Sequence, residues 1–210
     1  MKASTRLEGR SRDFLGRPYQ INPLIGSADT PEMFVEGTDA FDCVTYVETV
    51  LAQAHARNQR DFLDRLRRVR YRNGKVSWTA RNHYMTDWIR NNLRAGFVRP
   101  VSLEPTIKKD RVLDAVPGLP PRRQQFTCTP KRRLGSSTAK IQTGDLIFFA
   151  STRPQLDVFH CGILVQKDNR LMLRHASRSQ GGVVEQNLSD FLKTNRMAGV
   201  IVVRPVGEDR

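Results

Sequence analysis

The sequence predicts an α+β fold, with N-terminal helices packed on a C-terminal antiparallel sheet. Three observations carry this. Apolar residues recur at helical spacing between Asp42 and Leu93. Short apolar runs bounded by turn residues follow between Asp145 and Arg204. The two patterns do not alternate along the chain, as they would in a wound parallel sheet.

The elements follow in order. The first forty residues read as loop and short turns, punctuated by Pro18, Pro23, Gly26, Pro31 and Gly37. A helix is expected from about Asp42 to Ala56. Val44, Val47, Leu51 and Ala54 share a face there, and Thr38, Asp39 and Asp42 are candidate caps. A second, about Gln59 to Arg70, sets Phe62, Leu63, Leu66 and Val69 against a face of arginines. A third, about Tyr84 to Leu93, carries Trp88 and Ile89 and ends before Gly96 and Pro100. Residues 100–139 read as a Pro-rich basic insertion in a single domain. It is expected to be a long loop with one strand around Gln125 to Thr129, either an ordered excursion or a mobile segment. Strands are expected at Asp145 to Ala150, Val158 to Gln166, Leu171 to Ser177 and Gly199 to Arg204, with Lys167 to Arg170 as a hairpin turn.

Composition excludes several classes. The chain has 210 residues, enough for a core without staples, and three cysteines, an odd number that argues against a disulfide scaffold. No run approaches the roughly 18 apolar residues of a membrane span. Met1 to Arg17 has no apolar stretch of the kind a secretory leader carries. The net charge is +14, which raises nucleic acid as a partner. Its distribution is uneven: residues 1–50 are net −3, and residues 51–100 are net +9. Arg67, Arg68, Arg70 and Arg72 surround Tyr71 in the densest part, yet no helix-turn-helix, RNP or zinc-finger signature accompanies them. A solvated basic face is the simpler reading.

The segment Phe41-Asp42-Cys43-Val44-Thr45 is the most distinctive. A cysteine at a helix start meets unpaired N–H groups and the positive end of the helix dipole, which favour a thiolate. The same residue could equally be a small buried hydrophobe. A nucleophile needs a base, and there are four histidines. His55, mid-helix among polar neighbours, reads as solvated, and His83 opens the third helix. His160 and His175 flank the predicted hairpin. With the turn centred between Asp168 and Asn169, His160 faces Ser177 and His175 faces Gly162. The two histidines are then diagonal neighbours on one face, about 7–8 Å apart. Cys161 points the other way and reads as core, and Cys128 has no assignable partner. The Cys and His spacing does not match a structural zinc site, and no metal or cofactor is expected.

Four motifs in order resemble the NlpC-type papain-like cysteine hydrolases of bacterial cell walls. They are Asp42-Cys43, the GDLIFF strand from Gly144 to Phe149, His160-Cys161-Gly162-Ile163, and His175-Ala176-Ser177. FLGRPY from Phe14, FDCVTYVE from Phe41 and RNHYMTDW from Arg81 resemble its N-acetylmuramoyl-L-alanine amidase-like branch. The sequence has Asp-Cys-Val where the broader superfamily usually has Asp-Cys-Ser. The resemblance implies a papain-like fold, Cys43 as nucleophile, His160 as general base and acid, and His175 as its orienting residue. It implies cleavage of the amide between N-acetylmuramic acid and L-Ala through a thioester. The alternative is the D-Glu–diaminopimelate bond cut by relatives. Tyr19, Arg81 and His83 fall in family-like motifs as substrate-contact candidates, with packing as the competing role. Tyr46 and Glu48 read as structural. The substrate would be peptidoglycan or muropeptide, and the location the cell envelope or periplasm, with the cytoplasm also open. The basic middle would then attract an anionic envelope polymer.

Overall fold

The computed structural model describes residues 3–134 and 138–207. Four helices come first: α1 (Ala3–Asp13), α2 (Cys43–His55), α3 (Gln59–Arg70) and α4 (Met85–Arg94). Then come β1 (Val98–Pro100), β2 (Ile107–Leu113), β3 (Arg122–Cys128), β4 (Leu146–Ala150), β5 (Val158–Lys167), β6 (Arg170–Ser177), β7 (Gly182–Asn187), α5 (Leu188–Thr194) and β8 (Gly199–Pro205). Six strands form one antiparallel sheet in the order β1-β8-β4-β5-β6-β7, and β2 and β3 form a separate hairpin. Among the described residues no helix is long and apolar enough to cross a membrane.

The sheet is covered on both faces, which explains why β4 reads as an unbroken apolar run. Leu146 and Phe148 pack with α2 and α4, while Ile147 and Phe149 pack with Phe191, Val200 and Val202 on the other side. Alternate residues of one strand therefore feed two cores. The helical side is anchored by Trp88, whose ring lies 5.4 Å from that of Phe148. The β5–β6 register agrees with the expected turn: Ile163 lies opposite Arg174 and Lys167 opposite Arg170. Asp168 and Asn169 hold the turn at φ 49° and 58°, the left-handed region that hairpin turns require.

Several expectations need correction. The first forty residues contain α1. Its sequence has a single buried leucine, Leu7, and polar contacts hold the helix to the sheet: Arg174 donates to the Glu8 carboxylate at 3.0 Å and to Ser11 Oγ at 2.9 Å. The Pro-rich stretch is not a long loop with one strand. It holds the β2–β3 hairpin, whose alternation is hidden because basic residues lie on both faces, Lys108 and Arg123 on the exposed one and Lys109, Arg111 and Arg122 on the half-buried one. Residues 135–137 of that stretch lie outside the described residues. His55 is buried, not solvated, and its two ring nitrogens face the carbonyls of Leu51 and Val206 at 2.8 and 2.7 Å.

Arg70 does not belong to the basic face. It is buried against Glu48, with its Nε donating to Oε2 at 2.7 Å. The Trp88 indole N–H donates to the other Glu48 oxygen at 3.2 Å. Glu48 therefore keeps a structural place in the second turn of α2.

Candidate active site

Asp42 starts α2 with a reciprocal cap. Its carboxylate accepts from the N–H groups of Val44 and Thr45 at 3.0 and 2.7 Å, and Thr45 Oγ1 accepts from the Asp42 N–H at 3.0 Å. Thr45 is thus a capping residue. The cap uses the second and third N–H groups of the helix and leaves that of Cys43, the first helical residue. Burial and the neighbouring Cys43 push the Asp42 carboxyl up to about 6.

Cys43 is half-buried. Its thiol is held well below its ordinary value by the Cys161 thiol and then by the charge and hydrogen bond of His160, against the opposing effect of burial. Cys161 is buried on the same side of the sheet and donates to the Cys43 carbonyl at 3.2 Å. The expectation that Cys161 is core holds for its burial and misses its contact. A strand residue facing the helices at this level meets the start of α2.

His160 approaches the thiol from the end of β5. Phe149 pairs with His160 and Ala150 with Val158, so one residue, Phe159, is extra. Such a bulge re-aims the neighbouring side chain. The His160 ring stacks on Phe191 and Phe149 at centroid distances of 5.4 and 6.1 Å. His160 Nε2 lies 2.6 Å from His175 Nδ1, which leaves Nδ1 of His160 for the thiol. Beyond them, Gln186 Nε2 on β7 lies 2.9 Å from His175 Nε2. Burial, and then the charge of His160, depress His175 to about 3, so it is a neutral ring at neutral pH. Cys43, His160, His175 and Gln186 thus form a line from helix to sheet edge.

A cavity of about 530 Å³ opens beside this line, with Phe159, His160, His175, Ser177, Arg178 and Phe191 in its wall. Tyr19 lies near it: burial, and then the Cys43 charge, raise its phenol, while Arg178 lowers it. Tyr19 is therefore within electrostatic reach of both the thiol and a surface guanidinium.

Arg81 and His83 are not joined to this group. Arg81 makes a forked contact with the buried Glu32 carboxylate at 2.8 and 2.5 Å. His83 bonds the Trp78 carbonyl at 2.8 Å with its ring against the indole. Their motif anchors a loop, the competing role weighed from the sequence. Gln186, Arg178 and Phe191 were not found from sequence. They sit on or beside β7 and α5, elements too short and too polar to give a periodic signal. Among the described residues no group of three or more His, Cys, Asp or Glu side chains is placed to hold a metal ion.

The family model described as AmiA-like, N-acetylmuramoyl-L-alanine amidase-like, matches residues 10–200. A crystal structure of an N-acetylmuramoyl-L-alanine amidase from Bacteroides uniformis is 30% identical, with a TM-score of 0.87 over 97% of this chain and 99% of that one. A Bacteroides fragilis protein provisionally named a xylanase is 30% identical, with a TM-score of 0.81 over 93% and 99%. A Legionella pneumophila protein, 23% identical, has a TM-score of 0.85 over 98% and 90%, a likeness of fold. No curated protein matches the chain.

Proposed function

Because the chain belongs to the AmiA-like, N-acetylmuramoyl-L-alanine amidase-like family, we propose that it is a cysteine amidase of peptidoglycan or muropeptides acting through a thioester on Cys43. The observation that carries this reading is the line from Cys43 through His160 and His175 to Gln186, which opens on the 530 Å³ cavity. In this reading the chain is one papain-like, NlpC-type catalytic domain with the β2–β3 hairpin as its insertion, and it works in the cell envelope.

The Cys43 thiolate attacks the lactyl carbonyl carbon of the muramoyl–L-Ala bond. The carbonyl oxygen takes up negative charge and is met by the Cys43 N–H, the first-turn donor the Asp42 cap does not use. The C–N bond then breaks, and Nδ1–H of the His160 imidazolium gives its proton to the departing L-Ala amine. Water enters, loses a proton to His160 and attacks the thioester, releasing the muramoyl acid and restoring Cys43. His160 is base and acid in turn because its pyrrole-side nitrogen is fixed by His175.

Gln186 decides which nitrogen of His175 is protonated. An amide N–H only donates, so with Gln186 Nε2 toward His175 Nε2 the His175 proton would sit on Nδ1 and face His160. The His160 imidazolium carries N–H on both nitrogens and needs an acceptor there. Turning the Gln186 amide to present its oxygen moves the His175 proton to Nε2 and supplies that acceptor. Arg178 at the cavity wall offers a cation to a stem-peptide carboxylate, and Tyr19 lies within electrostatic reach of it. Arg81 and His83 act as loop anchors away from this site.

The test is digestion of a purified disaccharide-tetrapeptide muropeptide, with products read by mass spectrometry. The proposal expects the free disaccharide and the intact tetrapeptide, and no turnover by a folded Cys43→Ala variant. Products cut inside the peptide would favour the endopeptidase alternative, and full activity of Cys43→Ala would end the cysteine reading.

A further inference from the structure

A second cavity, of about 410 Å³, lies in the helical layer, lined by Arg67, Arg68, Arg72, Asn73, Asn91 and Arg94. It is remote from the thiol. Arg68 lies over the Phe97 ring at 5.4 Å, and Phe97 in turn meets His55, the last residue of α2, at 5.7 Å. Cys43 is the first residue of that helix. Twelve steps of about 1.5 Å from Cys43 to His55 put the two ends of α2, and the groups beside them, roughly 18 Å apart along the helix.

Its wall contains four guanidiniums and two amides and no carboxylate. A simpler reason for arginines here is that α3 and α4 both end at this place, and helix C-termini attract cations. The magnitudes separate the two readings. Two helix ends amount to about one negative charge together. Asp64 supplies one more, paired with Arg67 at 2.6 Å. About two positive charges remain, and among the described residues neither Arg72 nor Arg94 has a carboxylate partner. The backbone is also bent to close the cavity: Asn73 and Gly74 are consecutive left-handed residues, at φ 55° and 67°. A Cβ on Gly74 would stand 3.2 Å from Arg68 Cγ, so the turn passes under the arginine stems.

We propose that this cavity is a binding site for a phosphate group, separate from the hydrolytic centre. Planar guanidiniums with amide donors suit the tetrahedral, doubly charged oxygen set of a phosphate, which each arginine can grip through two N–H groups. The site sharpens the general attraction expected from the basic middle of the chain. Arg94 belongs to it and Arg70 does not. It takes a phosphate group while the thiol works at the other end of α2.

The experiment titrates the full chain with inorganic phosphate and pyrophosphate at constant ionic strength, using chloride as reference and calorimetry as readout. It compares wild type, the double variant Arg72→Gln/Arg94→Gln, and a control that removes the same charge elsewhere, Lys108→Gln/Arg153→Gln. All four positions are exposed. The expected result is at least ten-fold weaker phosphate binding by the first double variant and unchanged binding by the control. Equal weakening in both would mean ordinary polycation behaviour and overturn the proposal. So would a wild type that does not prefer phosphate to chloride. A parallel arm uses vesicles of phosphatidylglycerol against phosphatidylcholine. Capture lost with Arg72→Gln/Arg94→Gln assigns a lipid headgroup as the source. Phosphate binding without vesicle capture assigns a soluble or polymeric phosphate.

Discussion

Replacing Arg70 by Met removes a charge from the protein interior. The Arg70 and Glu48 side chains are 3% and 2% exposed, so water cannot take over either role. The guanidinium donates to Glu48 at 2.7 Å and to the Val35 carbonyl at 2.5 Å, and lies 5.8 Å from the Phe34 ring centre. Met keeps most of the stem volume, so the cost is that of a buried carboxylate left with only the Trp88 indole. Breaking a buried pair from one side costs about 3–5 kcal/mol. For a chain of this size, that lowers Tm by about 6–20 °C. The penalty also depends on pH. Burial already pushes the Glu48 carboxyl up, and Arg70 opposes that push. Without Arg70 the folded carboxyl titrates above its unfolded value and binds a proton on folding. The variant therefore regains stability as pH falls. Urea denaturation followed by circular dichroism at pH 7.5 and 5.5 measures both effects. Arg72→Met, on the exposed face, should stay within about 0.5 kcal/mol of wild type. A deficit for Arg70→Met under about 1 kcal/mol, or one that does not shrink on acidification, would refute the argument.

Three further outcomes follow from the site. Gln186→Leu should lower kcat about ten-fold with little change in KM. Gln186→Glu, which can only accept from His175, should keep most of the rate and move the acid limb of the pH profile; equal loss in both variants would reduce Gln186 to packing. Gly162→Ala should destabilise by about 1–3 kcal/mol, because the new Cβ would meet the Arg174 carbonyl and Leu173 Cδ1, both at 2.7 Å, and His175 Cβ at 3.1 Å; an unchanged denaturation midpoint would contradict this. His175 is depressed to about 3, so the unfolded chain binds a proton that the native state refuses between about pH 6.5 and 3, and stability falls through that window as pH drops. The stability advantage of wild type over His175→Gln should narrow by about 2–3 kcal/mol between pH 7.5 and 4.5, and a constant gap would sink that assignment.

The parts legible from sequence were those with one dominant signal. α3 is bounded as expected because its apolar face and arginine face are cleanly divided, and α2 because Asp42 is a strong cap. The β5–β6 register followed from a turn centred on two residues able to take positive φ, and that register brought His160 and His175 together. Residues whose placement depends on partners far along the chain were not legible. α1 is tied down by Arg174, Arg70 is internalised by Glu48, and His55 is buried by the Val206 carbonyl. The contact of Cys161 with Cys43 needed the helix position relative to the sheet. Gln186 needed the β6–β7 pairing, which no apolar pattern announced.

The most direct measurement for the proposed chemistry is the mass of the enzyme caught in turnover. A muropeptide reaction quenched in acid within its first cycles preserves a thioester. The account predicts one adduct on Cys43 with the mass of the muramoyl sugar acid less one water, free of amino acids, and none on the Cys43→Ala variant. An adduct that also carries L-Ala and D-Glu, or turnover that persists without Cys43, would contradict it.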